Sequence, residues 1–180
     1  MFKKRLRRAL IACGMVALTA GTAAATPAHA DGFPVDSSFS TKWLVRSSGK
    51  ALAVGSWWQS PGSVYQQTYE GLANQKFKYR YFADGHFSLV DTSWWGGCLD
   101  VENDSIAIGA RIISKTCDGS PSQKWDYSSD PGNLAHVYLR NVLSGLYMTL
   151  ESPSSPTVFI RFVQKPKTGT FAQQFTKSVA

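Results

Sequence analysis

Four residue types in this chain could do chemistry, and their spacing favours binding over catalysis. His86 and His136 are the only histidines after residue 30, and neither has a cysteine or acid at metal-ligand spacing. Asp100 and Glu102 stand two apart in a strand-like run, so they would share a face, as many solvated carboxylates do. No G-x-S-x-G, phosphate loop or H-E-x-x-H occurs. No enzyme, cofactor or metal is expected. The tryptophans are more suggestive, because Trp57-Trp58 and Trp94-Trp95 are adjacent pairs. Neighbouring strand residues face opposite ways, so at least one of each pair should be exposed. Exposed tryptophan suits a sugar ring, a choline-like group or a protein partner.

Those residues must be positioned by a smaller protein than the full chain. Residues 1–30 begin with Lys3, Lys4, Arg5, Arg7 and Arg8, continue as a short Ala/Gly/Thr-rich apolar stretch and end in Ala28-His29-Ala30. This is the pattern of a signal peptide cleaved near Ala30, and it fits better than a membrane anchor. Secretion is therefore expected, with no membrane span. Five of the 19 basic residues lie in this leader, so residues 31–180 carry 14 basic and 12 acidic residues, a net +2. A nucleic-acid partner loses its main support. Cys98 and Cys117 both fall in the mature part, and two cysteines in an exported chain read as one disulfide.

Periodicity favours strands throughout. "KWLVRS", "FKYRYF", "HFSLV", "RIISK", "HVYLRNV" and "TVFIRFV" are short, β-branched or aromatic, and separated by turn residues. Asp84-Gly85 predicts a type I′ hairpin turn, and Asp130-Pro131-Gly132-Asn133 a second turn. The chain reads as all-β.

Two marks reveal an internal repeat. Gln-x-aromatic recurs at Gln75, Gln123 and Gln173, and a glycine-led box recurs as "GKALAV", "GGCLDV" and "GLYMTL" from Gly49, Gly96 and Gly145. Three units of nearly equal length follow, none able to cover its own apolar face. Leu52, Leu99 and Met148 are equivalent, as are Val54, Val101 and Leu150, and both triples should be core. Phe77, Trp125 and Phe175 should pack near the axis, while Gln75, Gln123 and Gln173 should satisfy buried backbone groups.

On these residues the chain resembles the ricin-type (R-type) lectins over about residues 40–180, with 31–39 as an N-terminal extension. The resemblance implies a β-trefoil in which each repeat ends in Q-x-W, here complete once and twice with Phe. It also implies a Cys98–Cys117 pairing within the middle repeat. A family sugar site would use an Asp after Cys-Leu, an aromatic two residues before the second Cys and an Asn before Q-x-W. Asp100 and Asn74 match, but in different repeats. The other positions hold Lys115, Ser122, Ala53 and Thr149. The inherited pocket is thus incomplete in every repeat, and Lys115 is expected to pair with Asp100 at the surface.

Counting back from the glycine marks to the preceding strand leucines, Leu44 to Gly49 is five steps, Leu139 to Gly145 six and Leu89 to Gly96 seven. The middle repeat therefore has a longer first turn, occupied by Trp94 and Trp95. The reading that results is a secreted, non-catalytic, glycan-binding β-trefoil, with Asp100, Asn74 and the tryptophan pairs as candidate ligand residues. Two alternatives stand beside it. One is a protein- or cell-surface-binding component similar to the ricin-like subunits of cytolethal distending toxins, and the other is a trefoil protease inhibitor.

Overall fold

The computed structural model describes residues 35–55, 62–94, 96–153, 155 and 157–180. Its strands fall into three equivalent sets. Six build a closed barrel: β2 (Thr41–Val45), β5 (Phe77–Tyr81), β6 (Phe87–Asp91), β9 (Trp125–Asp130), β10 (Asn133–Asn141) and β13 (Phe175–Val179). Each pairs antiparallel with both neighbours in the order β5, β2, β13, β10, β9, β6 and back to β5. Closure leaves no exposed barrel edge. Three hairpins cap one end: β3 (Ala51–Val54) with β4 (Val64–Gln67), β7 (Cys98–Val101) with β8 (Ile112–Lys115), and β11 (Tyr147–Leu150) with β12 (Phe162–Lys165). They meet one another through the bridges Ser63↔Ile113, Tyr65↔Arg161 and Arg111↔Val163. A short β1 (Val35–Asp36) adds to β5. The fold is a β-trefoil.

The core repeats in threefold layers. Leu52, Leu99 and Met148 are fully buried, as are Phe77, Trp125 and Phe175, and Val54, Val101 and Leu150 lie beside them. Truncating one of the aromatic residues would cost about 3–5 kcal/mol. Trp125 buries its one polar atom at no loss, because Nε1 donates to Leu99 O at 3.0 Å. Cys98 and Cys117 form the disulfide, with Cα atoms 5.0 Å apart.

Several local expectations are corrected. Only Gly85 of the Asp84-Gly85 pair has positive φ, and Phe82 O accepts from Gly85 N while Phe82 N donates to His86 O. The turn is therefore a three-residue loop closed by glycine, not a type I′ turn. Of "TVFIRFV", only its last two residues lie in β12, because Phe159 adopts φ 65° and breaks the extended run. Its amide instead donates to Gln66 O at 2.8 Å.

The turn extension is shorter than counting suggested. Val45 N donates to Lys50 O, Asn141 N to Leu146 O and Asp91 N to Gly97 O, so the middle turn exceeds the other two by one residue. Leu44 was the wrong reference, since Trp43, Leu89 and Leu139 are the buried equivalents.

Candidate functional site

The three Q-x-aromatic glutamines sit on short 3-10 turns, and each does the same work. Gln75 Oε1 accepts from Glu70 N and Nε2 donates to Thr68 O; Gln123 accepts from Asp118 N and donates to Thr116 O; Gln173 accepts from Thr168 N and donates to Pro166 O. The repeats diverge in what else the amide reaches. In the third, Gln173 Nε2 also donates to Thr149 Oγ1 at 3.0 Å. In the middle repeat it donates to Asp100 Oδ2 at 3.0 Å. The first repeat has Ala53 at that place, and Asn74 Nδ2 donates to Val54 O at 2.7 Å. Asn74 and Asp100 are thus held in separate repeats.

Asp100 is the exceptional member. It was expected at the surface, but it lies on β7 with only 1% exposure. Its Oδ1 has no hydrogen-bond partner, although the residue is buried. Burial pushes its carboxyl above the usual aspartate range, while Gln123, Ser122 and the Lys115 ammonium pull it back. Lys115, half exposed, extends its Nζ to 3.8 Å from Asp100 Oδ2 and 3.7 Å from Asp118 Oδ2. Asp104 completes the surroundings, accepting from Ser122 Oγ at 2.6 Å. It is carried there by a turn over Glu102–Asp104 in which Asn103 and Asp104 both have positive φ, a conformation that Asn and Asp tolerate. Glu102 does not share a face with Asp100. It leaves the strand for this turn and forks with Arg111 at 2.8 and 2.9 Å.

A second feature adjoins this recess. Gln66 in the first repeat accepts from Ser48 Oγ and donates to Thr157 O of the third, at 2.7 and 2.6 Å. Gln164 in the third accepts from Ser144 Oγ and donates to Ser105 O and Ala107 O of the middle repeat. Each is a clamp between repeats. At the equivalent place the middle repeat has Ser114, which turns inward to Asp91 Oδ2 at 3.0 Å. At this junction lies a cleft of about 360 Å³, with Val54, Gly55 and Gly62 on one side and Gly97, Ser114 and Lys115 on the other. Gly97 keeps this wall close, since a Cβ there would displace Ser114 Oγ, 2.2 Å away, and crowd Lys115 O at 3.2 Å.

The turn above the cleft is organised by Asp91, which sequence reasoning did not single out. Its buried carboxylate accepts from Gly97 N at 2.9 Å, Ser93 N at 3.0 Å and Ser93 Oγ. The signal was present in "DTS", an Asp two residues before a serine amide. Trp94, held by this turn, is 93% exposed. Trp57, Trp58 and Trp95 lie outside the described residues. His86 Nδ1 lies 2.6 Å from Asp126 Oδ1, a surface pair forty residues apart in sequence. Among the described residues no group of His, Cys, Asp and Glu could hold a metal ion.

With barrel, hairpins and glutamine network in view, the class is a trefoil lectin fold. The sequence profile of the ricin-type β-trefoil lectin domain matches residues 41–175, and the chain belongs to that family. Solved structures agree. A designed threefold-symmetric protein, ThreeFoil, is 32% identical, with a TM-score of 0.70 over 77% of this chain and 96% of its own. The ricin B-like lectin of Macrolepiota procera, solved with lactose, is 16% identical, with a TM-score of 0.70 over 80% and 97%. A mosquitocidal holotoxin contains the same fold at 15% identity and a TM-score of 0.68, over 78% of this chain and 17% of its own. No curated protein matches the chain in sequence.

Proposed function

We propose that the protein is a secreted, non-catalytic glycan-binding protein whose ligand site is the middle repeat. The observation that carries this reading is Asp100 Oδ1. A buried carboxylate oxygen without a donor costs about 1–3 kcal/mol, and a sugar hydroxyl is the kind of donor that would recover it. Gln123, held by the backbone of its own loop, fixes the carboxylate's other oxygen and so preorganises the acceptor. Lys115 stands where the family places an aromatic ring, so polar contacts replace stacking at this site. With Asp104 and Asp118 nearby against one lysine, a neutral or amino sugar suits the recess better than an acidic one. The test is a glycan array with the protein and its Asp100→Asn variant. Binding by the parent that the variant loses supports the reading, and an array silent for the parent sinks it.

A second reading, a protein- or cell-surface-binding component, is favoured by Trp94. A tryptophan this exposed is costly to keep in water and suits a partner's pocket. A pull-down that depends on Trp94, with no signal on the array, would replace the first reading with this one. Secretion is checked separately by sequencing the N-terminus of protein recovered from the medium, expected at Asp31.

A further inference from the structure

The end of the barrel opposite the hairpins carries a different kind of site. A cleft of about 330 Å³ opens there, lined by Phe39, Thr41, Tyr79, Tyr81, Tyr127 and Lys177. Its volume falls in the range of small-ligand pockets. Phe39, Tyr81 and Tyr127 each leave nearly half of their surface exposed, a concentration of aromatic area that no strand or hairpin among the described residues covers.

Two polar features point to what fits. Tyr79 lies at the base, 3% exposed, and its hydroxyl has no hydrogen-bond partner. Thr41 beside it is committed elsewhere, donating to Phe77 O and accepting from Trp43 Nε1. Lys177 Nζ stands 3.9 Å from the Tyr127 ring centroid and 5.7 Å from that of Tyr79. Among the described residues no carboxylate lies within ion-pair distance of it. Ring faces position an ammonium without neutralising it, so its charge remains to be used.

We propose that the barrel mouth is a second ligand site, for a sugar ring that carries a carboxylate, a hexuronic acid. The exposed faces of Tyr81 and Phe39 take the apolar C–H face of the pyranose, Tyr79 pairs with a ring hydroxyl and Lys177 with the carboxylate. A cation is repelled by Lys177, and a bare inorganic anion makes no use of the rings. The site shares no residue with the Asp100 recess and stands independently of it.

Glucuronate and glucose share a ring and differ at C6, which makes them the discriminating pair. In calorimetric or NMR titrations of the protein, glucuronate is expected to bind at least tenfold tighter than glucose. Lys177→Met removes that preference, Lys177→Arg keeps it, Tyr81→Leu weakens glucuronate binding and Asp100→Asn, which alters only the other site, leaves the glucuronate affinity as in the parent. Equal binding of the two sugars, a preference that survives Lys177→Met, or no binding of glucuronate overturns the proposal. So does loss of glucuronate binding in Asp100→Asn, which would place the acid in the middle repeat.

Discussion

Gln123 donates to one oxygen of Asp100 at 3.0 Å and leaves the other unpaired inside the protein. The same glutamine in the third repeat meets Thr149, a hydroxyl that is itself satisfied by Tyr147 O. A fixed scaffold thus presents an unsatisfied acceptor in one repeat and a satisfied group in another. That asymmetry is what makes the middle repeat chemically distinct.

Asp100→Asn should separate binding from stability. Burial raises the carboxyl's pKa, so the folded state holds its proton more tightly than the unfolded chain. Stability is then unpenalised below the ordinary aspartate pKa, falls as pH rises toward the raised value, and carries the full penalty above it. The amide removes that penalty and still accepts from Gln123. The variant should melt at or above the parent at pH 7, with the advantage gone near pH 3, while ligand binding is lost. Parallel thermal melts at the two pH values measure this. In the parent, binding should weaken on acidification at a pH above the usual aspartate range.

The glutamine network should contribute substantially to stability. Gln123→Leu would strand Asp118 N and Thr116 O and leave Asp100 without its donor. A cost of about 3 kcal/mol is expected, lowering Tm by roughly 10 °C for a domain of this size. Gln75→Leu and Gln173→Leu, with equivalent backbone bonds, should cost similar amounts. Urea denaturation of the three variants would show this, and a smaller loss in any of them would mean that water replaces the side chain there.

Trp94→Ala should behave oppositely. With 93% of its surface in water, its removal should shift stability by less than about 0.5 kcal/mol. Binding of a glycan or partner should nevertheless fall, which a melt paired with a pull-down and an array would resolve.

Much of this was legible because a threefold repeat writes the same physical demand three times. The glycine boxes mark turns whose Gly49, Gly96 and Gly145 all adopt positive φ, and the apolar triples three and five residues further on must share one core. What failed depended on contacts between distant segments. The burial of Asp100 is set by Gln123 and the Glu102–Asp104 turn, and the His86–Asp126 pair by the meeting of β6 and β9. Ser114 is different, because its offset from Gln66 and Gln164 could have been counted. Only the structure shows that those glutamines clamp neighbouring repeats, so only there does a serine signify a missing side-chain clamp.

The disulfide offers a final test that joins stability to the site. Cys98 begins β7 two residues before Asp100, and Cys117 follows Lys115 by two. The bridge therefore ties together the strands that hold the two opposite charges of the recess. A crosslink between residues separated by 19 contributes on the order of 3 kcal/mol by restricting the unfolded chain, so reduction or a Cys98→Ala, Cys117→Ala double variant should lower Tm by roughly 10 °C. If the bridge also fixes Lys115 over Asp100, ligand affinity should fall at temperatures where the reduced protein is still folded. An unchanged affinity with a lowered Tm would confine the bridge to stability, and an unchanged Tm under oxidising conditions would show that the bond does not form.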